Sequence, residues 1–258
     1  MKRLIHLFHQ AVWLGFVVLL ATGLPALAAA PGLTISPAQV QIGAFFNGQT
    51  VTVSGTIPAG TQAVLEVMGA SSEEHLMRKG RRAGLWMNVG EIKVQDAPSL
   101  YLVMSTAKEL LTAAPPEATW GYRALEKRLV FSGKIEPAER QEFLKQFLEL
   151  KESEQIYATW PGDLKLKAAA GAESAVTASF PLPSNTRPGD YKVCLSVIQD
   201  GRVVSHNCAD LTVALVGFPA WLAGLAYEHG VGYGVLAVVI AIVTGFAMGF
   251  IFKGGGGH

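Results

Sequence analysis

The sequence predicts a mainly β protein, an immunoglobulin-like antiparallel β-sandwich with a helical insert, followed by a single C-terminal transmembrane helix. Three observations predict it. Short runs of alternating apolar and polar residues, broken by turn signals about every ten residues, fill residues 33–106 and resume near Leu164. Between them the apolar spacing becomes helical. Finally, Gly230 to Phe252 is an almost wholly apolar run without a charge, and at ~1.5 Å per residue it crosses the ~30 Å hydrocarbon core of a bilayer.

The N-terminus supplies a second membrane-directed signal. Lys2, Arg3, His6 and His9 precede the apolar stretch Ala11 to Leu20, which is too short to span comfortably. Gly23 and Pro25 then break the helix before Ala26-Leu27-Ala28, a small-x-small site. Residues 1–28 are therefore expected to be a signal peptide, cleaved after Ala28 or Ala30. Export followed by one span places the large domain outside and the C-terminus in the cytoplasm. Lys253 just past the span, and the lack of Lys and Arg between Leu211 and Val231, agree with that orientation. Residues 253–258 form a short cytoplasmic tail.

Half of the 258 residues are apolar and the net charge is +1. Removing the two membrane-directed segments leaves about 190 residues, enough for a substantial core. A near-neutral chain without a basic tail or interleaved aromatics is not built for nucleic acid.

Along the exported part, residues 29–106 read as strands. Val40 and Ile42 alternate with Gln39 and Gln41, and Val51 and Val53 with Thr50 and Thr52; Pro58-Ala59-Gly60 turns into Ala63 to Met68. Further strands fit Gly84 to Asn88, Glu91 to Val94 and Leu100 to Ser105. The helical insert is residues 107–160. Its clearest helix is expected over Glu136 to Tyr157: Pro137 suits a first helical position, Glu139 and Glu142 favour the positive end of the helix dipole, and Phe143, Leu144, Phe147, Leu148 and Leu150 make an apolar stripe. Residues 161–217 return to strands and complete the sandwich. Residues 218–229, with Trp221 and Tyr227, suit a short interfacial helix on the outer leaflet, and residues 230–252 are the span.

Candidate chemistry is sparse. Cys194 and Cys208 flank the Asp200-Gly201 turn, and folding the hairpin about it brings them within one residue of register. A disulfide is expected there, with a bulge or small adjustment to close the gap. His75, His206 and His229 share no metal-ligand spacing, and Met68, Met77, Met87 and Met104 complete no copper set, so no metal site is expected. Nucleophile elbow, phosphate loop and dinucleotide fingerprint are all missing. The reading is of a non-enzyme without catalytic residues or cofactor.

Two features point to binding instead. Arg78, Lys79, Arg81 and Arg82 lie just before Trp86, and such a cluster can hold an anion or an acidic partner loop, although a solvated strand end and a core tryptophan explain the same residues. In the span, Ala237, Ala241, Gly245 and Gly249 fall every four residues on one helix face, including a Gly-x-x-x-Gly match that lets a second helix approach closely.

The blocks Ala83-Gly84-Leu85-Trp86-Met87-Asn88, Leu100-Tyr101-Leu102-Val103-Met104-Ser105, Pro188-Gly189-Asp190-Tyr191-Lys192-Val193 and Asp200-Gly201-Arg202-Val203-Val204-Ser205, with the C-terminal span, resemble a family of transmembrane proteins first described in alphaproteobacteria. The resemblance covers nearly all of the mature chain. That family has no established activity, so it carries over no catalytic residue. Its members often appear encoded beside permeases resembling sulfite or organosulfonate exporters, which implies an accessory role. The Cys194/Cys208 pair is not part of the family pattern.

Together these readings predict a single-pass protein of the bacterial inner membrane with a periplasmic domain. The leading expectation is a non-enzymatic accessory protein whose span packs on an integral membrane partner, a permease exporting an anion, or on a second copy as a homodimer. The alternative is a tethered periplasmic module that binds an anion or metal through the Arg78–Arg82 region.

Overall fold

The computed structural model describes residues 32–252 apart from 83, 134, 170 and 171. The signal peptide expected over 1–28 and the tail 253–258 lie outside the described residues, as does Ala83 of the family-like block.

The described residues form strands β1 (Leu33–Ser36), β2 (Gln39–Ile42), β3 (Gln49–Pro58), β4 (Gln62–Met68), β5 (Ser71–Arg82), β6 (Leu85–Pro98) and β7 (Tyr101–Ser105). After helices α1 (Glu109–Thr112) and α2 (Gly121–Arg128) comes β8 (Val130–Gly133). A 3-10 turn at Pro137–Glu139 leads into α3 (Arg140–Ser153). Strands β9 (Tyr157–Pro161), β10 (Lys165–Ala168), β11 (Glu173–Leu182), β12 (Gly189–Gln199) and β13 (Arg202–Leu215) follow. The chain ends in α4 (Gly217–Glu228) and α5 (Gly230–Phe252). The protein is mainly β, as expected.

Three sheets result. The first is four-stranded (β1-β3-β11-β10), the second six-stranded (β2-β13-β12-β4-β7-β9) and the third three-stranded (β5-β6-β8). Pairing is antiparallel except for β2 with β13 and β7 with β9. Alternation in β3 and β11 sends Val51, Val53, Ile57, Val176, Ala178, Phe180 and Leu182 toward Leu65, Val67, Val193, Leu195 and Val197 of the six-stranded sheet, and all are buried. Each of these valine, leucine, isoleucine and phenylalanine side chains contributes ~1.5–3 kcal/mol by leaving water.

The opposite face of the six-stranded sheet is buried too. Val64, Tyr101, Val103, Tyr157 and Ile198 pack there against Leu125, Leu129 and Phe147 of the helical layer and Val94 and Ala97 of β6. Strand β7 is consequently buried at all five positions, which is why Tyr101 to Ser105 reads as a run and not as an alternation. One sheet serves two cores.

Several boundaries differ from the sequence reading. The expected strands Gly84 to Asn88 and Glu91 to Val94 fall in one continuous strand, β6, except for Gly84, which belongs to the turn before it. The insert also contributes strands: β8 joins the third sheet, and β9 adds a parallel edge beside β7. Helix α3 starts at Arg140 because Pro137–Glu139 is a 3-10 turn, and Leu150 of the expected stripe is 40 % exposed.

Strand β4 leaves the six-stranded sheet at Met68, which pairs with Lys192, which in turn pairs with Asp210 of β13. Strand β13 runs five residues further to Leu215 and then into α4. The β5–β6 hairpin and the membrane helix therefore depart from the same end of this sheet. Gly69 makes the crossing, donating its N–H to the Leu100 carbonyl at 3.0 Å.

At the other end, Asp200 (φ 50°) and Gly201 (φ 75°) both sit in the left-handed region, as a two-residue primed turn requires. That turn, with a bulge between Val197 and Ile198, brings Cys194 directly opposite Cys208, and the disulfide is formed. Helix α4 carries exposed Phe218, Trp221 and Tyr227. Leu225 of α4 approaches Gly232 of α5.

Candidate functional site

The β5–β6 hairpin carries the basic cluster, and its cations are not equivalent. Arg78 is engaged: Nη1 and Nη2 donate to Glu139 Oε2 and Oε1 at 3.1 and 2.8 Å, and the guanidinium lies 5.5 Å from the centre of the Phe143 ring. These bonds hold the Glu139 carboxyl below its ordinary range. A cleft of about 510 Å³ runs beside this pair, between the hairpin and α3. Lys79, Arg81 and Arg82 make no ion pair among the described residues. Strand register sets Arg81 across from Trp86, Arg82 across from Leu85 and Gly80 across from Met87. Trp86 is 73 % exposed and Leu85 67 %, so the tryptophan is not a core residue.

Lower on the hairpin, His75 lies 3.0 Å from Glu73 and 2.5 Å from Glu91, and Lys93 donates to Glu73 at 3.0 Å. This is a solvated ladder in which two carboxylates flank an imidazole and one of them also holds a lysine. Met68 approaches Arg128 with its sulfur, and Met104 is buried in the first core.

Two buried ionic groups are not among the residues that the sequence singled out. Glu66, on the helix-facing side of β4, is 7 % exposed. Its Oε1 lies 2.5 Å from the Tyr101 hydroxyl and accepts the Gly121 N–H at 3.1 Å. Burial raises its carboxyl above the ordinary range, against the lowering effect of both hydrogen bonds. The signal was present in the sequence: a carboxylate inside the unbroken run Ala63 to Met68 cannot reach water on either sheet face. Lys151 of α3 is also buried, 3.2 Å from Glu74, which Arg187 approaches at 3.6 Å. Its spacing carried the signal: Lys151 falls four residues after Phe147 and three after Leu148, on the face that α3 buries.

Around the disulfide, buried Ser196 and His206 Nδ1 are 2.9 Å apart, and His206 Nε2 lies 3.2 Å from Cys208 Sγ. Cys194, His206 and Cys208 bring their ligand atoms within 4.8 Å of one another, but the two sulfurs are bonded to each other. No thiolate is left to ligate.

On α5, Gly245 and Gly249 have nothing near the position of a Cβ. With Ala241 they floor a groove flanked by Ile242, Phe246 and Phe250. Among the described residues α5 is the one helix long and apolar enough to cross a membrane, and none of it is buried by the rest of the protein.

A two-core β domain carried on one uncovered apolar helix defines a membrane-anchored β-domain protein. The chain belongs to the family described as "Putative transmembrane protein (Alph_Pro_TM)", whose model matches residues 32–254. No curated protein matches it.

Proposed function

We propose that the protein is a non-enzymatic accessory subunit, anchored in the bacterial inner membrane with its β domain in the periplasm, that packs through α5 on an integral membrane partner. The observation that carries this reading is the groove along Ala241, Gly245 and Gly249, open along a helix that the rest of the protein leaves uncovered. A plain tether needs no such face, whereas close helix–helix packing in lipid does. The resemblance to a family often encoded beside exporters of sulfite or organosulfonate type supports an anion permease as the partner.

The test is purification in mild detergent, with mass spectrometry and intact-complex sizing. A stoichiometric multi-span permease is expected, lost when Gly245→Leu and Gly249→Leu fill the groove. A complex whose size is indifferent to those substitutions refutes packing through this face. A homodimer sensitive to them would make a second copy the partner.

The second reading, capture of an anion or metal, is favoured by the three cations of the hairpin tip that make no ion pair among the described residues. Arg81→Glu with Arg82→Glu separates the two: a capture module loses its ligand, while a docked subunit keeps its complex.

A further inference from the structure

The β5–β6 hairpin ends in a tip whose composition is unlike the rest of the domain. Leu85, Trp86 and Met87 are exposed by 67, 73 and 45 %. Large apolar side chains grouped at a projecting end mark a surface that is covered in use. From Arg78 to Gly90 there is no carboxylate, and Glu139 compensates only Arg78. Lys79, Arg81 and Arg82 therefore give the tip a local positive field.

The pairing distributes these groups over both faces. Arg81 with Trp86, and Lys79 with Asn88, stand on one side; Arg82 with Leu85, and Met87 opposite Gly80, stand on the other. A groove on a protein partner would favour one apolar face and one polar one. A lipid surface accepts both, because apolar side chains enter the headgroup zone while arginine and lysine stems reach back to phosphate.

Position adds to chemistry. The hairpin leaves the six-stranded sheet at the end from which β13 runs out to the membrane helix. Twelve residues of β5, at ~3.3 Å each, give it a reach of ~40 Å from that end. Tethering by α5 keeps a bilayer at high effective concentration.

We propose that the β5–β6 tip is a lipid-surface contact, in which Lys79, Arg81 and Arg82 meet the phosphates of an anionic bilayer and Leu85, Trp86 and Met87 enter its headgroup zone. The contact makes the domain lean on the membrane through a second point besides its helix. It rests on membrane anchoring alone and is independent of any partner of α5.

The test uses the full chain, purified without partners, in nanodiscs of phosphatidylcholine with and without phosphatidylglycerol. Trp13→Phe with Trp221→Phe serves as the background, to remove the tryptophan of the N-terminal apolar stretch and the exposed one of α4. Tryptophan quenching by lipid brominated near the headgroup is the readout. Quenching is expected to be at least about twofold stronger in anionic discs, to disappear with Trp86→Phe, and to fall to the phosphatidylcholine value with Arg81→Glu and Arg82→Glu. Thermal unfolding of each variant should match its background, since these side chains are exposed. Trp86 emission that stays water-like in both discs overturns the proposal. Shielding of Trp86 by inorganic phosphate in phosphatidylcholine discs would make the tip a free-anion site and overturn it as well. Shielding only after a protein partner is added would assign the tip to that protein.

Discussion

The Tyr101 hydroxyl stands 2.5 Å from Glu66 Oε1 and 2.9 Å from the Gly121 carbonyl, with one proton to serve both. When Glu66 is ionised, the Tyr101 hydroxyl donates to the carboxylate. When Glu66 is protonated, the acid can donate to the tyrosine and free the phenol for Gly121. The protonation of one buried carboxyl thus selects the partner that anchors the start of α2.

Because Glu66 titrates higher in the folded protein than in the unfolded chain, folding takes up a proton. Its contribution to stability is complete below about 4.5, the unfolded value, and declines as pH rises through the raised folded value. Glu66→Gln keeps an acceptor for the Gly121 N–H and removes the titration. Stability measured against pH should lose this declining segment in the variant; an unchanged profile would show that Glu66 does not titrate in that window.

Lys151 is held 3.2 Å from Glu74 and 3.5 Å from Glu154, over the Phe147 ring. Lys151→Ala removes the main partner of a mostly buried carboxylate and should cost about 3 kcal/mol in denaturant unfolding. Lys151→Met keeps the packing on Phe147 and should cost less. Equal losses in the two would mean that charge pairing, not packing, accounts for the whole effect.

Cys194 and Cys208 close a loop of 14 residues' separation, which by chain entropy is worth about 3 kcal/mol. Cys208 is exposed, so a reductant reaches it. Reduction, or Cys194→Ser with Cys208→Ser, should lower unfolding free energy by about that amount. A much smaller loss would show that the β12–β13 pairing already restrains the unfolded loop.

Gly69 has no room for a side chain. An added Cβ would overlap Ser99 Oγ and come within 2.8 Å of Tyr191 Cε1. Gly69→Ala should therefore destabilise by about 2 kcal/mol through overpacking. It should also loosen the junction between hairpin and sheet, seen as faster amide exchange at Ser99 and Leu100.

The sandwich and the membrane helix were legible because both rest on one-dimensional patterns: period-two alternation in Val51 and Val53, and uncharged length in Gly230 to Phe252. The disulfide was legible because Asp200-Gly201 sets local register. The second core was not. Tyr101 and Tyr157 meet across strands 56 positions apart in the chain, and no local pattern announces that pairing. Glu66 was marked only by its place inside the apolar run Ala63 to Met68, and the sequence left Trp86 open between a core and a binding residue. Exposure at a hairpin tip is decided by where the rest of the fold stops.

The pairing of β13 bears on how the domain withstands tension from the membrane. Strand β13 leads through α4 into the anchor, and its last four residues run parallel to β2 while most of its length is paired with β12. A load drawn along β13 from the bilayer toward the far end of the domain acts across these hydrogen bonds, which must then shear together. A domain joined to its anchor through this strand resists extraction through its sheet, because the pairs with β2 and β12 share the load.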